Sequence, residues 1–469
     1  MRRVLVAGGG VSGAAVARAL AVRGDDVRLV DRRAAAVDDE LATLGVRYAG
    51  DLDVVPADVD LVVTSPGWPP SHPLLADAAR RGIPVVGEVE IAWHLRDATV
   101  PWLAVTGTNG KTTTVGMLTA ILRAADRHVA EVGNVGPPVI DAVVAADRSY
   151  DVLTVELSSF QLHWAPSVTP AAGALLNIAA DHLDWHGSLE AYAADKSRIW
   201  AGGRSQVVLN ADDPHVVELA AALPEATRRI EFTQSEPAAG QLGIRDGMLI
   251  DRSVDPDGEV LIAAADIRPP GGHNAANALA AAALARTVGV NAQQVADGLR
   301  AYRPGDHRNV TVGVGQFAGG SVRLVNDSKA TNAHAATASL TSYPRVVWIA
   351  GGLLKGAVAG DFAGLIEQVR ERLAAVVLLG RDRAVITEAL RRHAPEVHAI
   401  DIPSAEHIGM AEAVRVATEL ARTEAARTGD EVVVLMAPAA ASMDMFVDYA
   451  ERGRVFTEAA RAQEGIHAQ

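Results

Sequence analysis

Short apolar runs alternate with Ala-, Leu- and Arg-rich stretches of helical period along most of the chain. Up to about residue 97, the runs "RVLVAG", "DVRLVD" and "DLVVTSPG" are separated by patterns such as "AAVARALAVRG". Strand-length runs between helical patterns predict a parallel sheet covered by helices. A second series begins at "VPWLAVTG" and continues through "DVLTVELSS", "AGALLNIA" and "RSQVVLNADD". A polar stretch with Pro and Gly, about residues 233–271, predicts short antiparallel strands. "HNAANALAAAALARTVG" then reads as a helix, with Asn274 near its start and Gly289 near its end. A third series, from about "AYRPGDHRNV", holds the strands "SVRLVNDS", "RVVWIAGG", "AAVVLLG" and "DEVVVLMAP", which predict another doubly wound sheet. After Phe456 the pattern predicts a last helix and a loose end. The fold class is therefore α/β, in three domains spanning 1–97, 98–301 and 302–469.

The length of 469 residues fits about three domains. At 49% hydrophobic and 21% charged residues, the chain can bury several cores. It has no cysteine, which excludes disulfides, thiol nucleophiles and Cys-ligated metals. The opening Met1-Arg2-Arg3 resembles the head of a signal peptide, but glycines break the apolar stretch that follows and Arg18 and Arg23 come soon after. No apolar window is long enough to predict a membrane span. A net charge of −14 argues against nucleic acid as partner.

Lysine is scarce. Of 43 basic residues only Lys111, Lys196, Lys329 and Lys355 are lysine. An arginine-rich chain should retain lysine where arginine cannot serve, because a lysine amine is compact and can lose its proton and react.

Two glycine loops point to phosphate. In "VLVAGGGVSG", Gly8, Gly10 and Gly13 fit G-x-G-x-x-G, and Asp31 follows 18 residues after Gly13. The physics is a tight turn that delivers backbone N–H groups and a helix N-terminus to a pyrophosphate, which a dinucleotide and a nucleoside-diphosphate sugar share. In "AVTGTNGKTTT", the backbone around Gly107, Thr108, Asn109 and Gly110 would cradle phosphates. Lys111 would reach the terminal ones and Thr112 would place its hydroxyl on Mg²⁺. Val105 stands where the general phosphate-loop pattern has its first glycine. Glu156, at a strand end in "TVELSSF", suits a Mg²⁺ carboxylate. His182 and His186 flank Asp184 at a spacing that invites zinc, but without cysteine or further ligands oxygen-bound Mg²⁺ is the stronger reading.

"TGTNGKTTT", "GNVG", "ELSSFQL", "DHLDWHGS", "YAADKSRI", "HNAANALAA" and "NDSKATN" occur in one order, and together they resemble the Mur ligase family. These are ATP-dependent amide-forming enzymes of peptidoglycan precursor synthesis. "GGGVSG", "TSPGW", "NDSKATN" and "APAAASMDMF…ERGRVF" resemble the branch that adds D-glutamate to UDP-N-acetylmuramoyl-L-alanine. The resemblance covers the whole chain. It implies a Rossmann-like N-terminal domain, a central P-loop-type ATPase domain with a mostly parallel sheet, and a Rossmann-like C-terminal domain. It also implies a cytoplasmic monomer acting on small molecules.

By resemblance, ATP is held by residues 107–112 with Thr113, by Asn274 and Asn277 near adenine, and by Arg308 and Asp327 near ribose and phosphates. Two Mg²⁺ ions are implied, one on Thr112 and Glu156, the other on His182 and Lys196, the latter carried as a carbamate. The UDP substrate is implied at Gly10, Ser12, Gly13, Asp31, Arg32, Arg33, Ser65, Pro66 and Gly67, and its muramoyl side at Asn134, Ser158 and His182. D-Glutamate is implied at Lys329, Thr331, Lys355, Ser442 and Tyr449. Lys111, Glu156, His182 and Lys196 are implied as catalytic. The chain departs from the pattern at Ala437 and Ala440, where Ser and Cys are frequent, at Tyr449, where Phe is common, and at Arg32-Arg33, where Thr-Arg is familiar.

Overall fold

The computed structural model describes residues 1–469 except 34–35, 146–148, 201–204, 318, 404–407 and 469. Two compact units divide it: Met1–Ile267 with Ala275–Tyr302, and Arg268–Asn274 with Arg303–Gln469.

The first unit carries two sheets. Strands β1 (Arg3–Ala7), β2 (Asp26–Val30), β3 (Arg47–Gly50), β4 (Leu61–Thr64) and β5 (Val85–Gly87) pair in the order β3-β2-β1-β4-β5, all parallel. The larger sheet holds β6 (Trp102–Thr106), β7 (Val129–Gly133), β8 (Val152–Glu156), β9 (Ala172–Leu175), β10 (Gln206–Asn210), β11 (Arg229–Phe232), β12 (Gln241–Arg245), β13 (Met248–Asp251) and β14 (Glu259–Ala263). Its order is β14-β13-β12-β11-β10-β9-β6-β8-β7. Only β12–β13 and β13–β14 are antiparallel, so the polar stretch does form a short meander. One apolar cluster runs from Val4 and Leu20 through Ile91 to Trp102 and Trp200.

Two helices set the central core. Within Gly272–Arg286, residues 278–285 (six alanines and two leucines) are apolar all round and have no exposed surface. Methyl side chains let this helix lie among its neighbours without an outward polar face. The helix Ala292–Ala301 crosses Lys111–Ala124 so closely that a Cβ on Gly298 would lie 2.2 Å from Ile121 Cα.

The helix Glu88–Leu95 connects the two sheets. Its Glu88 is buried and accepts a 2.6 Å bond from Ile140 N–H at the start of the helix Val139–Val144. Burial drives this carboxyl up to about 7, against the pull of the Ile140 and Val139 N–H groups. The folded state thus keeps the proton that the unfolded chain loses near 4.5. Stability then falls as pH rises through that window, by about 3 kcal/mol in total. Glu88→Gln keeps the acceptor and removes the titration. Thermal unfolding is expected to show the variant gaining on the wild type between about pH 5 and pH 8; a pH-independent gap would refute this.

The second unit holds β15 (Val310–Phe317), β16 (Gly320–Asn326), β17 (Val346–Ala350), β18 (Leu373–Leu378), β19 (His398–Asp401), β20 (Glu431–Met436) and β21 (His467–Ala468), in the order β19-β18-β17-β20-β16-β15-β21. Strands β16 to β20 run parallel; β15 is antiparallel to both β16 and β21. The chain after Phe456 is therefore not a loose end. The helix Tyr449–Arg461 is followed by residues 467–468, which pair with Gly313 and Val314.

Candidate active site

The first glycine loop leaves β1 at the point where the sheet order reverses, between β1 and β4. Ligands of open α/β sheets bind in such crevices. Gly8 has φ +95°, and a Cβ on Gly13 would lie 1.8 Å from Gly8 O, so both positions require glycine. Gly10 opens the helix Val11–Val22, with Ser12 in its first turn. From β4, Ser65 Oγ donates to Gly8 O at 3.0 Å, and Pro66 and Gly67 follow it. The Trp68 indole packs on Gly8, a contact the sequence reading missed. Asp31, at the end of β2, accepts from Gly9 N–H and Arg33 N–H, each at 2.9 Å. Desolvation alone would raise its carboxyl, but these bonds prevail and hold it below the usual range. Arg32 and Arg33 are exposed, near the Asp51 and Asp31 carboxylates.

The second glycine loop joins the carboxyl end of β6 to the helix Lys111–Ala124, between the ends of β8 and β9. Gly107 (φ +156°) and Gly110 (φ +86°, the N-cap) shape it. Lys111 Nζ donates to Gly107 O at 2.8 Å and Thr108 O at 2.9 Å. Asn177, at the end of β9, braces the loop by accepting from Asn109 N–H at 2.8 Å and donating to Asn109 O at 3.1 Å. Thr108 Oγ1 lies 3.0 Å from Tyr192 OH. Asn277 sits against the loop, its Oδ1 2.4 Å from where a Gly110 Cβ would stand. Asn274, one turn earlier, donates to Pro270 O and lies in the first turn of its helix rather than at the cap. Thr113 is buried in the loop's helix.

Glu156 gathers two neighbouring side chains. Thr112 Oγ1 donates to its Oε2 at 2.6 Å and Asn134 Nδ2 to its Oε1 at 2.9 Å. An acidic and a hydroxyl oxygen beside a phosphate loop suit Mg²⁺, which takes oxygen donors and leaves positions for phosphate. Lys196 is buried, with Nζ 2.9 Å from Gly107 O, the carbonyl that Lys111 also uses. Burial first, then the charge of Lys111, pushes its amine well below the ordinary lysine value. His182 is half-exposed, in the left-handed region at φ +53°, with Nε2 3.7 Å from Asp181. Ser158 caps the helix Ser159–His163 in a reciprocal capping box with Gln161. His186 bonds instead to Asp195 and Ser159. Among the described residues no cluster of three or more His, Cys, Asp or Glu is placed to hold a metal.

In the second unit, the exits of β16, β17 and β20 converge. Leu353 and Ala441 exchange backbone bonds of 2.9 and 3.0 Å. Arg452, buried, donates to Ser328 Oγ and O and to Ala440 O, tying two exits to the last long helix. Lys329 Nζ stands 3.9 Å from the Tyr449 ring centroid. Thr331 N–H donates to Lys329 O, and the Ser442 carbonyl starts the turn to Phe446. Lys355 is exposed at φ +51°, two residues past Leu353. Asp327 accepts from Asn309 N–H at 3.2 Å; burial lifts its carboxyl to about 6, with Arg308 among the groups pulling it down. Asn177, Tyr192, Asp195 and Arg452 went unread because residue type alone carries no signal for such bracing.

Strand–loop–helix phosphate cradle, carboxylate and buried lysine define a phosphate-loop α/β enzyme. The chain belongs to the Mur ligase family: the family model "Mur ligase middle domain" matches residues 105–285, and "Mur ligase MurD-like, N-terminal domain" matches residues 2–87. It is 51% identical to the UDP-N-acetylmuramoylalanine--D-glutamate ligase of Thermobifida fusca, over 99% of each chain. It is 45% identical to the protein of that name from Mycolicibacterium smegmatis, over 99% of this chain and 97% of the relative. MurF from Acinetobacter baumannii shares the fold, with a TM-score of 0.61 at 16% identity over 92% of this chain and 90% of that one. MurC from Thermotoga maritima has a TM-score of 0.55 at 19% identity, over 98% and 99%.

Proposed function

We propose that this chain is the ATP-dependent ligase that adds D-glutamate to UDP-N-acetylmuramoyl-L-alanine through an acyl phosphate, in cytoplasmic synthesis of peptidoglycan precursors. The observation that carries the reading is half-identity along the full length to ligases of that name. We assign residues 1–97 to the nucleotide sugar, 98–301 to ATP, and 302–469 to D-glutamate and part of the ATP site.

The substrate carboxylate attacks the γ-phosphorus and ADP leaves. The D-glutamate amine then attacks the acyl carbon, loses a proton and expels phosphate. Lys111 would neutralise the terminal phosphate, and the N-terminus of its helix at Gly110 would favour the others, while Asn177 holds the Thr108 and Asn109 N–H groups and so fixes the loop. Thr112 and Glu156 would hold one Mg²⁺ and His182 and Lys196 a second. When bound, the metal supplies positive charge against the phosphate oxygens. Burial and the Lys111 charge both favour the neutral form of the Lys196 amine, the form that would capture CO₂ and so become an oxygen donor. Asn134 holds the Glu156 carboxylate from the acceptor side. Asn274, Asn277, Arg308 and Asp327 would place the nucleoside of ATP.

Lys329, Thr331, Lys355, Ser442 and Tyr449 would take the amino acid, whose two carboxylates match two lysines. Lys329→Met is expected to raise the D-glutamate KM about tenfold or more while leaving the ATP KM near its wild-type value. Steady-state assays with each substrate varied would check it, and an unchanged D-glutamate KM would remove Lys329 from the site.

The test of the function is phosphate release. It should require ATP, Mg²⁺, UDP-N-acetylmuramoyl-L-alanine and D-glutamate together. Equal release with L-glutamate, or without the nucleotide sugar, would overturn the assignment.

A further inference from the structure

Beside the central site runs a hydrogen-bonded chain that the ligase chemistry does not itself use. The His186 side chain is fully buried. Its Nδ1 lies 3.0 Å from Asp195 Oδ2 and its Nε2 3.0 Å from Ser159 Oγ. Asp195 as a carboxylate only accepts, so Nδ1 carries the hydrogen and Nε2 accepts from the hydroxyl. Asp195 is itself fixed, by His163 Nδ1 at 2.8 Å and Arg198 Nε at 3.1 Å. The order Ser–His–Asp matches that of a hydrolase triad. Ser159 is only 2% exposed, however, and no substrate carbonyl can reach its hydroxyl.

What the chain does reach is three segments, each carrying a residue assigned to the metal sites. Ser159 starts the helix three residues after Glu156. His186 ends the turn that His182 begins, and its N–H bonds to His182 O at 3.1 Å. Asp195 directly precedes Lys196. His182 has the left-handed φ of +53°, which a non-glycine residue keeps only where its surroundings over-determine it. The ring of Phe160 stacks on His186 at 5.4 Å and meets His182 edge-on at 4.8 Å. The ring of Tyr192 meets His186 at 5.2 Å and lies 4.6 Å from Lys196 Nζ.

We propose that Ser159, His186 and Asp195 are positioning residues: a buried strut that fixes the segments of Glu156, His182 and Lys196 to one another and so sets the spacing of the metal donors. The strut rests on the metal-site reading above. Its test is Mn²⁺ binding, read by electron paramagnetic resonance in the presence of a non-hydrolysable ATP analogue, alongside kcat, KM and the thermal midpoint. His186→Phe keeps the ring stack and loses both hydrogen bonds. It should weaken Mn²⁺ about tenfold or more and lower kcat. His186→Asn, which can still donate towards Asp195, should recover part of both. A folded His186→Phe with wild-type Mn²⁺ affinity would overturn the strut, even if its midpoint drops. Should that variant not fold, Ser159→Ala deletes only the hydroxyl: weakened Mn²⁺ supports the strut and unchanged affinity overturns it. The Mn²⁺ comparison does not involve D-glutamate. A wrong amino-acid assignment would appear only in the phosphate-release assay.

Discussion

Lys196→Arg is expected to lower turnover by at least about 100-fold in a protein that still folds. The side chain is buried, its amine shares the Gly107 carbonyl with Lys111, and both burial and that neighbouring charge disfavour its protonated form. A lysine can respond by losing its proton. An arginine cannot, because its guanidinium stays charged at any working pH. The variant would therefore press a second permanent cation against Lys111 and forfeit an amine able to take up CO₂. The larger planar head must also fit beside Tyr192, whose ring already faces the amine. Phosphate-release kinetics and circular dichroism on the same preparation would check the result. Wild-type turnover in Lys196→Arg would rule out any chemical need for the amine.

The largest expected effect on stability lies away from the chemistry. Gly298→Ala should destabilise the first unit by about 3 kcal/mol. The added methyl would stand 2.2 Å from Ile121 Cα and 2.6 Å from Ile121 N. Those are backbone atoms of the helix that begins at the phosphate loop, so no side-chain rotation relieves the clash. The two helices must part, and the buried layer of Ile121 and Leu122 opens with them. A lower thermal midpoint would be the first sign, with a raised ATP KM where the helix start shifts. An unchanged midpoint would mean that the crossing is looser than 2.2 Å implies.

The parallel strands at the heart of each sheet were legible because they are buried on both faces and read as unbroken apolar runs. The edges were not. Strand β3 is "RYAG" and β19 is "HAID", both with largely polar or exposed positions, and β15 is interrupted by Gly313 and Gly315. Their pairing comes from neighbours far along the chain, which no local pattern records. The reversal of β15, and the closing pair of residues 467–468 against it, depart from a simple doubly wound sheet for the same reason. Among the candidate residues, the phosphate loop and the four lysines stood out because glycine spacing and lysine scarcity are visible without contacts. Asn177, Asp195 and Arg452 are ordinary residue types, and their importance lies in what they brace.

The alanine-rich helix Gly272–Arg286 also restricts how this protein can evolve. An alanine codon is one base change from valine, threonine, serine, proline, glycine, aspartate or glutamate. Within residues 278–285 every position has no exposed surface. Valine and threonine would add volume where none is spare. Serine, aspartate and glutamate would bring in a polar group without a partner, while proline and glycine would break the helix or loosen it. At each of those alanines, every amino-acid change within reach of a single base is therefore damaging. The stretch should persist as alanine through long divergence, even though its methyl groups touch no substrate.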